Sequence, residues 1–311
     1  MRVVIAGGAG FLGSHLTDLH VARGDEVVVL DDFSTGSRKN LAHLSDRAAL
    51  SVLAADVSRS VPVDGGVDRV YNLASPASPP AYLQRPLETL AVGSEGTRRL
   101  LELAEKSDCR FVMASTSEIY GDPTVHPQVE SYRGNVDPIG PRSVYDEAKR
   151  FSEALTMAFN RAKGTDIGIA RIFNTYGPRL AQGDGRVVSN FIVQALTGVP
   201  LTIYGDGSQT RSLCYVADLV AGLAALGDAK TAGPINLGNP DERSVGEIAA
   251  TILGLTSSSS ELVYEALPTD DPTRRCPDIS RAISELGWHP TVATEDGLRL
   301  TIEHFRGELG L

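Results

Sequence analysis

Tyr145 and Lys149 stand four positions apart in the run Tyr145-Asp146-Glu147-Ala148-Lys149. On a helix that spacing puts both side chains on one face, because 3.6 residues make a turn. A free tyrosine has a pKa near 10 and is a poor base at neutral pH. A neighbouring ammonium favours the phenolate. Bringing the phenol to about 7 takes ~3 units, or ~4 kcal/mol of differential interaction. That requires Lys149, together with a bound cationic cofactor, to face the ring. Alone, such a pair is most often a solvated helix face. Two further stretches give it weight: a glycine-rich run near the start of the chain, and Ser115-Thr116-Ser117-Glu118 upstream of the tyrosine.

The elements that must position these groups alternate regularly. Arg2 to Ala6 is a short, apolar, β-branched run and reads as a buried strand. Gly7-Gly8-Ala9-Gly10-Phe11-Leu12-Gly13 follows, then a helical pattern to about Arg23 and a strand from Glu26 to Leu30, ending at Asp31. In such a unit the glycines permit a tight turn and let backbone N–H groups approach a pyrophosphate at the helix N-terminus. Asp31, 18 positions past Gly13, can accept hydrogen bonds from an adenosine ribose and would repel a 2'-phosphate. It favours NAD over NADP.

Leu50 to Ala55 reads as a third strand, closed by Asp56-Val57 where an adenine edge would lie, and Val67 to Leu73 as a fourth. Ala74 to Pro80 is too proline-rich for a helix and follows a strand's carboxyl end, where open α/β sheets bind ligands. A helix from Pro86 to Lys106, a strand from Cys109 to Ala114, a long loop from Tyr120 to Arg142, a helix from Tyr145 to Lys163 and a strand from Ile167 to Ile172 continue the alternation. A loop of that length is usually functional or a lid. The pattern predicts an α/β fold of Rossmann type, with a doubly wound parallel sheet.

Past Phe173 the pattern loosens into shorter elements, with a flexible serine linker at Ser257 to Ser260 and a final helix pair. Arg179, Arg186, Arg211, Arg274 and Arg275 fall in turns and loops there. Guanidinium groups can hold a diphosphate or carboxylate bidentately. For any one arginine, a surface ion pair is the commoner role.

Composition bounds the partners. A chain of 311 residues with 42% hydrophobic and 22% charged residues can bury a sizeable core. A net charge of -10 argues against nucleic-acid binding but leaves room for an anionic small ligand beside a local arginine cluster. Cys109, Cys214 and Cys276 lie far apart and in no ligand spacing, so neither a disulfide framework nor a metal site is expected. No apolar run approaches the ~20 residues of a membrane helix. The first residues lack a signal peptide's layout, and a cytoplasmic location is expected.

With these motifs in view, the chain resembles the extended short-chain dehydrogenases/reductases that act on nucleotide sugars. The finer similarity, over essentially the whole chain, is to UDP-glucuronate decarboxylases (UDP-xylose synthases). It is carried by Leu73-Ala74-Ser75-Pro76-Ala77-Ser78-Pro79-Pro80-Ala81-Tyr82, by Ser115-Thr116-Ser117-Glu118-Ile119-Tyr120-Gly121-Asp122-Pro123 and by Asn135-x-x-Pro138-Ile139-Gly140-Pro141-Arg142. Ala170 to Arg179, Asp184 to Phe191 and Gly207-Ser208-Gln209-Thr210-Arg211 match as well.

The resemblance implies tightly bound NAD that oxidises C4 of UDP-glucuronate, loss of carbon dioxide from the 4-keto sugar, and re-reduction to UDP-xylose. Tyr145 would be the base, Lys149 would lower its pKa and hold the nicotinamide ribose, and Thr116 would hydrogen-bond the C4 oxygen. Related 4,6-dehydratases usually carry an aspartate where this chain has Ser117. A neutral serine would not repel the glucuronate carboxylate. Glu118 would handle a proton, its pKa raised by burial; its bland reading is a structural carboxylate.

By the same resemblance, Gly7, Gly10, Phe11, Leu12, Gly13, Asp31, Ser34, Thr35, Gly36, Asp56, Val57, Leu73, Ala74, Thr89 and Thr175 would contact NAD. Tyr82, Asn174, Arg186, Val187, Tyr204, Arg211 and Arg275 would contact the UDP-sugar, Tyr204 packing on uracil unless it is a core tyrosine. The implied layout is an NAD-binding part, 1–173 with 212–238, and a smaller, discontinuous C-terminal substrate domain, 174–211 with 239–311. A homodimer would pair through the helices at Pro86 to Lys106 and Tyr145 to Lys163. Two positions depart from the pattern. Gly93 replaces the usual asparagine, removing a side-chain contact, and Cys276 replaces a lysine, with Arg274 as a substitute charge. A 4-epimerase, release of the 4-keto pentose, or a non-catalytic NAD sensor are the alternatives.

Overall fold

A computed structural model describes residues 1–267 and 274–311. Six strands, β1 (Arg2–Ala6), β2 (Glu26–Asp31), β3 (Leu50–Ala54), β4 (Arg69–Asn72), β5 (Arg110–Thr116) and β6 (Ile167–Ile172), join Pro234–Leu237 in one parallel sheet. The spatial order is Pro234–Leu237, β6, β5, β4, β1, β2, β3. Val3 and Ile5 join one apolar layer with Leu16 of α1 (Phe11–Ala22), while Val4 and Ala6 join the other with Leu100 and Leu101. That alternation is the signature of a sheet covered on both faces, so the doubly wound fold holds. Strand order reverses between β1 and β4, which opens a crevice at their carboxyl ends.

Several local expectations are corrected. A helix, α2 (Pro79–Gln84), starts inside the proline run. Prolines in a first helical turn lose no hydrogen bond, because those N–H groups have no partner within the helix. The helix expected from Pro86 to Lys106 divides into α3 (Pro86–Ala91), a π-turn at Val92–Gly96 and α4 (Thr97–Lys106). The serine stretch is a short connection: Ser257 closes the helix Val245–Thr256 in a left-handed conformation, and after Ser258 to Ser260 a strand unforeseen from sequence, Leu262–Glu265, forms beside Leu201–Tyr204. The loop leading to α5 (Ser143–Lys163) is tied down. Arg150 donates to the Ile119 and Arg133 carbonyls, and Arg171 to that of Glu130.

Gly93 sits in the π-turn against α5. A Cβ there would lie 2.8 Å from the Ala148 Cβ, and the Gly93 carbonyl accepts from Ser152 Oγ at 2.6 Å. The asparagine expected from the resemblance is therefore excluded by Ala148, and backbone contact stands in its place. Gly93→Asn should cost about 1–3 kcal/mol by overpacking. In denaturant unfolding, Gly93→Asn/Ala148→Gly should be more stable than Gly93→Asn alone. No loss in the single variant would show that these helices separate freely.

Candidate active site

The turn after β1 is shaped by glycine. Gly7 has φ +77, and a Cβ on it would press within 2.8 Å of the Leu73 and Ala74 backbone. A Cβ on Gly13 would overlap the Gly7 carbonyl oxygen. The first turn of α1 carries no side-chain cap at Gly10, so its N–H groups are available to an anion. Asp31 braces this turn: Oδ2 accepts from Ala9 N at 2.9 Å and Oδ1 from Phe33 N at 2.9 Å. Burial pushes its carboxyl up, opposed by those two donors.

Two adjoining cavities share this turn. One, about 380 Å³, is lined by Asp31, Ser34, Thr35, Gly36, Asp56, Val57 and Ala74. The other, about 590 Å³, is lined by Phe11, Leu12, Gly13, Thr116, Ser117, Glu118, Tyr145, Lys149, Asn174, Thr175 and Arg186. Gly7, Gly10 and Leu73 line both.

Other sequence-derived candidates lie elsewhere. Thr89 is buried, and its hydroxyl donates to the Arg85 carbonyl within the helix. Tyr82 is buried beneath Tyr145, the rings stacked at 5.1 Å; it supports that ring instead of lining the cleft. Val187 packs against the apolar core. Tyr204 is 41% exposed, so it is no core residue, and it lines neither cavity. Arg211 is buried and donates to the Thr210 carbonyl. Cys276 is buried with Sγ 3.6 Å from the Pro240 carbonyl and lines neither cavity, and Arg274 is exposed.

The reactive groups meet where β5 ends beside α5. Lys149 Nζ donates to the Ala114 carbonyl at 2.9 Å and lies 5.8 Å from the centre of the Tyr145 ring. Burial brings its pKa down to about 8. Burial also raises the Tyr145 phenol, while the Arg186 charge and a hydrogen bond with Thr116 pull it down. The expected lowering of Tyr145 is therefore not supplied by the chain alone, because Lys149 faces the ring from too far away and the phenol is desolvated.

Glu118 reverses the expectation made for it. Burial does push its carboxyl up, but Arg275 and Arg142 outweigh that and hold it at about 2. Arg142 Nη2 donates to Oε2 at 2.7 Å, and Arg275 Nη1 donates to Oε1. Glu118 is thus an ionised carboxylate gripped from two sides, and Arg275 faces it.

Arg142 and Asp146 belong to this cluster and were missed from sequence. Arg142 stands at the N-terminal boundary of α5 without capping it, where the helix dipole disfavours a cation. That conflict, visible in sequence, points to a nearby anion.

A profile of the NAD dependent epimerase/dehydratase family matches residues 3–238. The chain is 49% identical over 308 residues to UDP-glucuronic acid decarboxylase 1 of Xenopus tropicalis, covering 99% of this chain and 73% of that one. UDP-glucose 4-epimerase of Thermotoga maritima, solved with UDP-glucose, superposes with a TM-score of 0.89 at 30% identity, covering 99% of this chain and 100% of that one. A mutant UDP-glucuronic acid 4-epimerase from Bacillus cereus, in complex with NAD and UDP-4-deoxy-4-fluoro-glucuronic acid, gives 0.87 at 26% identity, over 99% and 100%.

Proposed function

The chain belongs to the NAD-dependent epimerase/dehydratase family, and on that premise we propose that it decarboxylates UDP-glucuronate to UDP-xylose. The observation that carries the reading is Tyr145, Thr116 and neutral Ser117 around one cleft, in a chain nearly half identical to a named decarboxylase.

The glycine cradle fits a dinucleotide: any side chain at Gly7 or Gly13 would collide with neighbouring backbone, so only glycine lets the turn close and leave the uncapped first turn of α1 facing the cleft for a pyrophosphate. In this reading residues 1–173 and 212–238 hold NAD, and 174–211 with 239–311 hold the sugar nucleotide. Asp31 takes the adenosine ribose, Asp56 and Val57 the adenine, and Lys149 the nicotinamide ribose. NAD, when bound, supplies reversible hydride chemistry at sugar C4, and its positive ring adds the cation the Tyr145 phenol lacks. Tyr145 takes the C4 hydroxyl proton and later returns it, and Thr116 holds the C4 oxygen. Ser117 receives the sugar carboxylate without charge repulsion. With C4 a ketone, the C5–C6 bond breaks, its electron pair moves toward the C4 oxygen, and carbon dioxide leaves.

The test is incubation with UDP-glucuronate and NAD⁺, following carbon dioxide, product mass and absorbance. Carbon dioxide without net NADH, and a UDP-pentose product, is expected. Unchanged mass with a new stereoisomer would mean a 4-epimerase instead.

We further read the protein as a cytoplasmic homodimer. Leu83, Leu87, Leu90 and Phe151 are exposed on helices that pack together, and the three cysteines are free. Among the described residues no helix is long and apolar enough to cross a membrane. A solution mass near that of one 33.0 kDa chain would refute the dimer.

A further inference from the structure

The proposed reaction consumes a proton that no residue assigned so far provides. Its balance is R–COO⁻ + H⁺ → R–H + CO₂: the C5–C6 bond breaks, its electron pair stays with the sugar, and C5 gains a hydrogen. Tyr145 does not meet this need, because the proton it takes from the C4 hydroxyl goes back at re-reduction. Glu118 does not meet it either. Arg142 and Arg275 keep it ionised, so it has no proton to give.

Behind Glu118 lies a second space. A cavity of about 240 Å³, large enough for several waters, is lined by Glu118, Arg142, Arg275, Asp146, Asp122 and Asp137. Glu118 also lines the main cleft, so this one residue borders both spaces. Asp146 is only 7% exposed, and its Oδ1 has no hydrogen-bond partner among the described residues. A buried carboxyl oxygen without a donor is costly when charged. An exposed rim at Asp137 leads from this cavity toward solvent.

Resting on the decarboxylase reading, we infer that Asp146 is the buried acid that furnishes the C5 proton, passing it through this cavity and past Glu118 into the cleft. Asp146 does not touch the sugar; it positions and replenishes the proton.

The surrounding charges make this workable near neutrality. Burial raises the Asp146 carboxyl to about 7, as does the Glu118 charge, and Glu147 adds to it; Arg142 and Arg275 oppose them. Asp122 and Asp137 face the same cavity from the connecting loop, and Tyr82 is coupled to Asp146 from α2. A group that must be protonated to act loses effect as pH rises through its pKa.

The test compares the NAD-loaded wild type with Asp146→Asn and Asp146→Glu across pH, on UDP-glucuronate. In the wild type, kcat should fall as pH rises through about 7. Asp146→Asn should lose about tenfold to a hundredfold in kcat, at or below the low end for a general acid because Asp146 acts through the cavity and does not touch the sugar. It should keep KM within about twofold and no longer show that fall with pH. Asp146→Glu should restore both rate and pH dependence. Wild-type kcat in Asp146→Asn, an unchanged alkaline fall in its residual activity, or no alkaline fall in Asp146→Glu would overturn the inference. Failure of the wild type to release carbon dioxide would instead overturn the function on which it rests, and the inference with it.

Discussion

Tyr145→Phe removes a single oxygen and should lower kcat by about 10²- to 10⁴-fold, the span a positioned acid–base group contributes. The fold around the ring should survive. The aromatic stack on Tyr82, 5.1 Å between centroids and 9° between planes, involves no hydroxyl. Lys149 keeps its bond to the Ala114 carbonyl. NAD and UDP binding, measured by calorimetry on the same preparation, should therefore change little. The loss should appear in kcat and kcat/KM together, as expected when the missing interaction belongs to the transition state. Activity within a few-fold of wild type would remove Tyr145 from the chemistry.

Arg275→Ala should be the most damaging change for stability, by about 3–5 kcal/mol at pH 7. Breaking a buried ion pair leaves a carboxylate without half of its compensation. Arg275 is 3% exposed and the Glu118 side chain 18%, so the pair is largely withdrawn from bulk solvent and its loss is only partly made up by water. The pH dependence gives a second reading. Glu118 falls from an ordinary 4.5 to about 2 in the folded chain, a shift worth roughly 3 kcal/mol. A depressed carboxyl pKa stabilises above the unfolded value, and that stabilisation is lost as pH falls through the folded one. The stability gap between wild type and Arg275→Ala, measured by urea unfolding, should be widest above pH 5 and narrow as pH falls from about 4.5 toward 2. A gap that stays constant over that interval would mean the two residues are not coupled.

The sequence exposed what is local and periodic. The glycine turn, α1, β2 and Asp31 lie within one short stretch, and their order alone implies the crevice between β1 and β4. Tyr145 and Lys149 share a helix face for the same reason. What escaped depends on partners distant along the chain. Burial of Glu118 was foreseeable, but the sign of its pKa shift was set by arginines 24 and 157 positions away. Tyr82 beneath Tyr145 is likewise a pairing of two helices. Leu262–Glu265 was hidden behind serines, because a four-residue edge strand with all its side chains exposed shows no inside–outside alternation. The proline run before Tyr82 argues against a helix, yet Pro79 and Pro80 form the first turn of one.

The contact between Gly93 and Ala148 also limits how this chain can diverge. Neither position is an independent character. A larger residue at 93 costs less once 148 has shrunk, and a reversion at 148 costs more once 93 has grown. Mutational history at the two sites is therefore biased, with shrinkage at 148 the cheaper first step. A library randomised at both should yield survivors along a small-with-large diagonal, and a rectangular distribution would show that the sites evolve separately.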